Sequence, residues 1–179
     1  MRVRKAVLPD ASAIHGLIFE YARHNTLLPR SLPEIYENIR DFTVVENSRR
    51  ILGCGALHFY GMHMAELRSI AVWPDCKGRG AGRVIIDALL DEAHQHSVTC
   101  LCLFTRTPGF FSHLGFTKVR RERLPDKLYK DCRSCKRRDD CDEVAMIRGR
   151  LPRFDYPETE PAELPAKRKG AKNESPRSR

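Results

Sequence analysis

The chain has no long apolar run, because charged and polar residues interrupt every hydrophobic stretch before it reaches the ~18–20 residues that cross a bilayer. It has no signal-peptide core either, since the basic start Met-Arg-Val-Arg-Lys is followed by a short strand-like run and then by Pro9-Asp10. No internal repeat is present. We therefore expect a cytoplasmic globular protein with no membrane segment.

Two familiar phosphate-binding loops are also missing. No Gly-Lys-Ser or Gly-Lys-Thr sequence occurs, so a nucleoside-triphosphate loop is not indicated. No short unit of strand, glycine turn and helix opens the chain, so the dinucleotide-binding fingerprint fits poorly. Any anion site must therefore use a different glycine pattern.

What the chain does have is positive charge. Its 179 residues carry 32 Lys or Arg against 23 Asp or Glu, a net charge of +9, and an apolar fraction of 41% suits one globular domain. A basic surface suits a polyanionic cofactor and acidic substrates, and it also permits nonspecific binding to nucleic acid. Charge alone does not choose between these partners.

The strongest local pattern runs from Met64 to Arg83. An apolar strand-like run through Val72 is stopped by Pro74, three glycines follow, and apolar positions at helical spacing resume at Val84. Glycines have no Cβ to hold a ligand away from the backbone, and the first turn of a helix has unpaired N–H groups that attract anions. The residues of this predicted anion-binding loop are Lys77, Gly78, Arg79, Gly80, Ala81, Gly82 and Arg83.

Apolar periodicity predicts seven strands and four helices. The predicted strands are residues 2–7, 42–46, 51–59, 64–72, 100–104, 116–119 and 143–147. The first predicted helix begins at Pro9, and the second begins with the capping box Ser31-x-x-Glu34. The third follows the glycine turn. The fourth begins at Pro108 and has Gly115 as its left-handed cap. Strands joined by short turns predict an antiparallel meander, and the later strand, helix and strand predict a parallel crossover, so we expect a mixed sheet.

The string Ile70-x-Val72-x-Pro74-x-x-Lys77-x-x-Gly80-x-Gly82 resembles the coenzyme A pyrophosphate loop of the GNAT superfamily of N-acetyltransferases, which usually has Gln or Arg where Lys77 stands. The resemblance implies an α/β (α+β) GNAT fold in which the fourth and fifth strands splay apart and acetyl-CoA lies in the opening. It assigns the pantetheine arm to Ile70, Ala71 and Val72 and the pyrophosphate to the residues from Arg79 to Arg83. Lys77, Gly78 and Phe111 are further cofactor-binding residues that it implies.

Acyl transfer to an amine requires that the thioester is held, that its oxygen is stabilised and that the ammonium is deprotonated. Strand alternation predicts that residues 66, 68, 70 and 72 share one face, and the resemblance makes Glu66 the base, acting through a water. The alternative is a structural ion pair between Glu66 and a nearby Arg. Many GNAT enzymes use a Tyr as general acid, but this chain has Phe111 there. The substitutes are Thr105, Thr107, Ser112, Tyr129 or solvent.

A narrower resemblance rests on Leu27-Leu28-Pro29-Arg30-Ser31, Glu66-Leu67-Arg68-Ser69, Leu124-Pro125-x-Lys127, Asp131-Cys132-x-x-Cys135 and Cys141-Asp142-Glu143-Val144-Ala145-Met146. These segments are similar to the short, stand-alone N-acetylglutamate synthases of bacteria. The similarity implies acetylation of L-glutamate or a similar small amino acid for arginine biosynthesis. It also implies that the amino-acid-kinase domain of the longer synthases, with its arginine-feedback site, is missing.

The substrate-binding residues that this resemblance implies are Leu28, Arg30, Arg68 and Ser69. Two arginines suit an acceptor with two carboxylates, because a guanidinium binds a carboxylate bidentately. The alternative is that both arginines are solvated or pair with Asp41 or Glu34.

The predicted acetyltransferase domain spans residues 1–148 and includes a cysteine-bearing insertion at 124–142. Residues 149–179 form a basic, proline-rich tail with few large apolar residues, which we expect to be disordered. In the insertion, Cys132, Cys135 and Cys141 have metal-like spacing. They are either ligands of a structural zinc that still needs a fourth ligand, or reduced thiols in a surface loop.

Two other functions stay open at this point. A GNAT enzyme that acts on another small amine or on a protein N-terminus would use the same glycine loop. A non-catalytic acyl-CoA-binding module, or a basic interaction module, would explain the missing Tyr, although Glu66 argues against it. Nucleic acid is not the expected partner, and a homodimer is left open.

Overall fold

The computed structural model describes residues 1–48, 50–133, 135 and 137–151. Its strands are β1 (Arg2–Lys5), β2 (Phe42–Glu46), β3 (Ile51–Phe59), β4 (Met64–Val72), β5 (Cys100–Thr105), β6 (Thr117–Lys118) and β7 (Val144–Gly149). Its helices are α1 (Ala11–Ala22), α2 (Leu32–Glu37), α3 (Ala81–Gln95), α4 (Pro108–Ser112) and α5 (Pro125–Lys127). The tail predicted to be disordered begins at residue 149. Its residues after Leu151 lie outside the described residues.

All seven strands form one sheet in the order β1-β2-β3-β4-β5-β7-β6. Neighbouring strands are antiparallel except β4 and β5, which run parallel and are joined through α3. The sheet is therefore mixed, which confirms the predicted α/β (α+β) class. The four predicted helices are present, and α5 adds a short fifth one within the insertion.

Helices cover both faces of the sheet. On one face α1 and α2 bury Leu17, Ile18 and Ile35 against the middle strands, and on the other face α3 buries Ile85 and Leu89. Burial on both sides explains why β5 is almost continuously apolar rather than alternating. No helix in the described part of the chain has the length and hydropathy to cross a bilayer.

The parallel pair β4 and β5 is joined only at its beginning. Met64 pairs with Cys100, Ala65 with Leu101 and Glu66 with Cys102, which is the full extent of the register. Beyond these pairs β4 continues to Val72 and β5 to Thr105. The two strands thus diverge toward their carboxyl ends, which confirms the predicted splay and leaves one edge of β4 open.

A β-bulge interrupts β4 at Ser69. Arg68 pairs with Ala56 of β3 and Ala71 pairs with Cys54, so a single β3 residue lies opposite two residues of β4. Ser69 takes a φ of 55°, in the left-handed region that a serine rarely adopts. The bulge therefore lies where β4 leaves β5.

The bulge changes which side chains share a face of β4. Glu66 and Arg68 lie on the same face as Ala71, which packs with the α1 side of the sheet, whereas Ile70 and Val72 pack with the α3 side. The prediction that residues 66, 68, 70 and 72 share one face is wrong, because the extra residue shifts the two-residue alternation by one.

Some element ends also differ from the predictions. β1 ends at Lys5 rather than at residue 7, because a turn of 3₁₀ helix precedes α1. α4 ends at Ser112, and Gly115 follows with a φ of 81°, as expected for a left-handed cap. β7 continues to Gly149, one residue past the predicted end of the domain.

Candidate functional site

A cavity of about 620 Å³ occupies the opening between β4 and β5. Its walls come from the end of β4, the end of β5, the glycine loop and α4. The predicted site residues that line it are Arg68, Ser69, Ile70, Ala71, Val72, Lys77, Gly78, Gly80, Ala81, Gly82, Arg83, Thr105, Thr107 and Phe111. Those that do not are Leu28, Arg30, Glu66, Arg79 and the three cysteines Cys132, Cys135 and Cys141. The fold thus brings most of the predicted cofactor residues to one cavity.

The glycine loop leads directly into α3. Gly78 and Gly80 have φ values of 74° and 84°, which glycine adopts without the cost that a Cβ brings. The N–H of Val84 donates to the carbonyl of Gly80 at 3.0 Å, so the amides of Ala81, Gly82 and Arg83 precede the helical hydrogen-bond ladder. These residues line the cavity, where their free amides and the helix dipole favour an anion.

The cations of the loop have different surroundings. The Lys77 ammonium lies 4.9 Å from the centre of the Tyr21 ring, and the Tyr21 hydroxyl donates to the carbonyl of Val72. Arg83 already has a carboxylate partner in its own helix, because its Nε lies 2.8 Å from Asp87 Oδ1. Lys77 is therefore held against the cavity wall, whereas the Arg83 guanidinium is engaged along α3.

Glu66 lies where the splay begins and is only 2% exposed. Its Oε1 is 2.7 Å from Lys127 Nζ, and its Oε2 accepts a hydrogen bond of 2.8 Å from the Tyr60 hydroxyl. Asp131 joins the same group, with Oδ2 at 2.8 Å from Lys127 Nζ and 3.0 Å from the Tyr60 oxygen. The expected alternative of an ion pair with arginine is thus replaced by an ion pair with a lysine 61 positions away.

The protonation of this cluster follows from its charges. Burial lowers the pKa of Lys127, but the charges and hydrogen bonds of Glu66 and Asp131 outweigh it, so the pKa is raised overall. Burial raises the pKa of Tyr60 far above its ordinary value, and the two carboxylates raise it further. At neutral pH Lys127 is therefore a cation and Tyr60 a neutral phenol, and both donate to the Glu66 carboxylate.

Two predicted acceptor-binding arginines, Arg30 and Arg68, lie close enough for the charge of one to affect the other. Arg30 donates from Nε to the Ser69 hydroxyl at 3.2 Å, and Arg68 lies 3.5 Å from Asp41 Oδ2 and 3.8 Å from Asp131 Oδ2. Burial, followed by the charge of Arg68, lowers the pKa of Arg30. Among the described residues, no carboxylate lies within salt-bridge distance of Arg30. Positive charge is therefore only partly compensated at this point.

Two threonines at the end of β5 place hydroxyl groups in the cavity wall. Thr105 accepts a 3.0 Å hydrogen bond from the N–H of Thr107, and the two hydroxyl oxygens lie 3.1 Å apart. Phe111 is buried in the wall beside them. Ser112 donates to a carbonyl of its own helix, and Tyr129 is 75% exposed. Of the four predicted acids, Thr105 and Thr107 are the two that reach the cavity.

A second cavity of about 530 Å³ lies beside the insertion. It is lined by Leu28 and by the thiols of Cys132, Cys135 and Cys141, and it shares Glu143 with the first cavity. Across residues 1–48, 50–133, 135 and 137–151, no group of three His, Cys, Asp or Glu residues is arranged to hold a metal ion. The zinc interpretation therefore gains no support, and the three cysteines are free thiols.

The sequence analysis missed the partners of Glu66. Lys127 and Asp131 stand four positions apart, a spacing that predicts an ion pair on one helical face, but nothing local indicates that this face meets β4. Tyr60 lies in a short link after β3. Tyr21 was also missed as a residue of the cavity wall. It occupies an apolar-face position of α1, and nothing in its local sequence predicts that its hydroxyl donates to the carbonyl of Val72 on β4.

Comparison with known proteins identifies a family and several relatives. The family model for the acetyltransferase (GNAT) domain matches residues 38–118. An uncharacterized N-acetyltransferase of Chlorobaculum tepidum is 36% identical over 146 residues, which are 82% of this chain and 94% of that protein. An amino-acid acetyltransferase of Mycobacterium tuberculosis is 33% identical over 136 residues, which are 74% of this chain and 78% of that protein.

A solved structure is similar as well. It is the N-acetylglutamate synthase from Neisseria gonorrhoeae, complexed with coenzyme A and N-acetyl-glutamate. The TM-score is 0.75 at 26% sequence identity, and the match covers 85% of this chain and 35% of that one. The chain therefore spans about a third of that structure.

Proposed function

Because the chain belongs to the GNAT family of acetyltransferases, we propose that it transfers the acetyl group of acetyl-CoA to the α-amino group of L-glutamate, giving N-acetylglutamate for arginine biosynthesis. The observation that carries the choice of acceptor is the meeting of Arg30 and Arg68 beside Ser69. The amino-acid acetyltransferase among the relatives and the complex of the Neisseria structure with N-acetyl-glutamate support the same choice.

A dicarboxylic amino acid suits this place because it brings two carboxylates to two guanidiniums. Arg30 is half-buried beside a second arginine, and the Arg68 side chain is 10% exposed. A partly desolvated guanidinium binds a carboxylate more strongly than one in water, and it does so with two parallel hydrogen bonds. Arg68 pairs with Asp41 and Asp131 at 3.5 and 3.8 Å, as the alternative of a pair with Asp41 anticipated, so an acceptor carboxylate must share this guanidinium with them.

The first cavity suits acetyl-CoA. The left-handed Gly78 and Gly80 and the free amides at the start of α3 fit a pyrophosphate, and Lys77 adds a cation at the wall. The open edge of β4 beyond Glu66 offers backbone groups to an extended pantetheine arm, as a sheet edge does to an added strand. An N–H on this edge would also stabilise the charge that develops on the thioester oxygen.

The proton steps are assigned to side chains around the splay. Glu66 accepts the proton of the acceptor ammonium through a water, because it lies on the same face of β4 as Arg68 but lines neither cavity. Thr105 and Thr107 supply hydroxyls near the end of β5 for the departing sulfur. A free thiol has a pKa of about 8.5, so the thiolate leaves with little help.

The test is thiol release from acetyl-CoA by the purified full chain with glutamate, glutamine, aspartate, other amino acids and a short peptide. We expect selective turnover with glutamate. Equal turnover with unrelated amines would point to a broad amine acetyltransferase. Binding of coenzyme A without turnover of any amine would point to an acyl-CoA-binding module, and either result would contradict the proposal.

A pair of variants tests the base. Glu66→Gln should lower kcat by roughly 100-fold or more, because an amide cannot accept the proton, while the dissociation constant for acetyl-CoA changes little. Glu37→Gln, which alters an exposed carboxylate on α2, is the matched control. Near-normal turnover of Glu66→Gln at neutral pH would contradict the assignment.

A further inference from the structure

Glu66 is held by groups from outside the sheet. Lys127 reaches it from α5, with Nζ at 2.7 Å from Oε1 and 3.0 Å from Oε2, and its side chain is only 9% exposed. Tyr60 reaches it from the link between β3 and β4. A single ammonium therefore contacts both oxygens of a carboxylate that is almost fully buried.

A buried carboxylate needs this cation. Taking an ionised group out of water is costly unless it is paired and hydrogen-bonded, and removing one partner of a buried ion pair leaves the other uncompensated. Without Lys127, Glu66 would retain the neutral Tyr60 hydroxyl and would lie near the negative charge of Asp131. The carboxylate would then be buried without its cation, and Tyr60 alone of these two partners would still fix its orientation.

The same short segment also reaches an acceptor-binding arginine. Asp131 follows Lys127 by one helical turn and lies 3.8 Å from Arg68 Nη1. Burial raises the pKa of Asp131, but the hydrogen bond and charge of Lys127 outweigh it, so the pKa is lowered overall. One turn of the insertion thus contacts both Glu66 and Arg68. The other titratable or charged groups around Glu66 in the described part of the chain are Tyr60, Cys102, Arg30 and His58, which lies opposite Glu66 on β3 and is 2.7 Å from Asp41.

We propose that Lys127 is a positioning residue, which holds the Glu66 carboxylate ionised and correctly oriented through a buried ion pair supplied by the insertion. This inference rests on the proposed role of Glu66 as proton acceptor. Lys127 lines the second cavity and not the first, which we assign to acetyl-CoA, and its ammonium contacts both oxygens of Glu66. The insertion is then part of the catalytic apparatus and not only a cysteine-bearing surface loop.

The kinetic test compares Lys127→Met with Lys127→Arg, which keeps the cation, and with Lys118→Met, which removes an exposed lysine on β6. Lys127→Met should lower kcat by about tenfold or more and move the acid limb of its pH profile to higher pH. Lys127→Arg should restore part of kcat, and Lys118→Met should match the wild type. The dissociation constant for acetyl-CoA should stay the same in all three. An unchanged acid limb in Lys127→Met would overturn the proposal.

A second measurement does not depend on activity. Urea unfolding at pH 7 is followed for Glu66→Gln, Lys127→Met and the double variant. The double variant should unfold at a higher urea concentration than Lys127→Met alone, because it no longer contains an unpaired buried carboxylate. If Lys127→Met does not fold and the double variant does, that outcome also supports the ion pair.

Equal loss of stability in Lys127→Met and the double variant would contradict the ion pair.

The kinetic and unfolding tests distinguish failure of the proposed function from failure of the role of Lys127. If the wild type turns over no amine but the unfolding cycle shows coupling, the proposed function fails and the ion pair stands. If the wild type turns over glutamate but neither the pH profile nor the cycle responds to Lys127, the role of Lys127 fails and the function stands.

Discussion

Arg30 Nε donates to the Ser69 hydroxyl at 3.2 Å, which ties the segment before α2 to the bulge of β4. Ser69 has a φ of 55° and lies where β4 leaves β5, in the wall of the larger cavity. The guanidinium therefore lies at the point where the two central strands separate. This is the place at which an acceptor must approach a thioester held along β4.

Arg30→Gln should raise the KM for glutamate by roughly 10- to 100-fold, because a charge-assisted hydrogen bond contributes about 1.5–3 kcal/mol. The KM for acetyl-CoA should change little, since Arg30 does not line the first cavity. Steady-state kinetics with each substrate varied in turn measures both constants. Arg40→Gln, at an exposed arginine after α2, is the control, and an unchanged KM for glutamate in Arg30→Gln would show that the assignment is wrong.

Gly80→Ala should weaken acetyl-CoA binding and lower stability by about 1–2 kcal/mol, because an alanine is strained at a φ of 84°. Calorimetric titration with coenzyme A and urea unfolding measure the two effects. Gly61→Ala is the matched control, since a Cβ there meets nothing within 4 Å. Equal affinities in the two variants would mean that the conformation at Gly80 does not matter to the loop.

Gly149→Ala should be severely destabilising. Gly149 has a φ of 95°, and a Cβ there would lie 2.2 Å from the carbonyl oxygen of Thr99, a backbone atom that cannot move aside cheaply. We expect a loss of about 2 kcal/mol or more from strain and steric overlap, against less than about 1 kcal/mol for Gly61→Ala. Equal urea midpoints for the two variants would contradict this packing. The outcome also tests whether β7 contributes to the fold beyond residue 148.

Acid should weaken the link between β1 and α1. Arg4 binds Asp10 through two hydrogen bonds of 2.6 and 3.0 Å, and mainly for this reason the pKa of Asp10 is lowered from 3.8 despite burial. A lowered folded-state pKa means that the stabilisation is present above about pH 4 and is lost as pH falls through the folded value.

Asp10→Asn should therefore cost about 1–3 kcal/mol at pH 7 and reduce the loss of stability between pH 5 and pH 2. Urea unfolding across this pH range is the measurement. Asp87→Asn removes the exposed pair with Arg83 and should cost less than about 1 kcal/mol. If both variants lose the same unfolding free energy at pH 7, the Arg4 and Asp10 pair stabilises the fold no more than an exposed ion pair does.

Local patterns were sufficient for much of the fold. Apolar periodicity, the capping box at Ser31 and the glycine turn depend on residues that are close in sequence, and they predicted the order of strands and helices. The left-handed φ of Gly78 and Gly80 follows from the same local logic. The glycine loop therefore lies at the edge of the cavity, and its role in binding a cofactor stays a prediction.

Element ends were less predictable. A two-residue strand such as β6 and the continuation of β7 to Gly149 depend on which backbone groups find partners across the sheet. The bulge at Ser69 also depends on pairing across the sheet, because the extra residue in β4 is defined only by its register with β3. Alternation along β4 alone predicted the wrong face for Ile70 and Val72.

By itself the sequence determined the order of strands and helices along the chain, the glycine loop and the residue types available for acetyl transfer, since each is encoded in spacing along the chain. Only the tertiary structure decided the surroundings of Glu66. Its partner Lys127 lies 61 positions away, and a buried carboxylate takes whichever cation the packed chain brings to it. That contact arises from the packing of the insertion against β4, which no local pattern encodes.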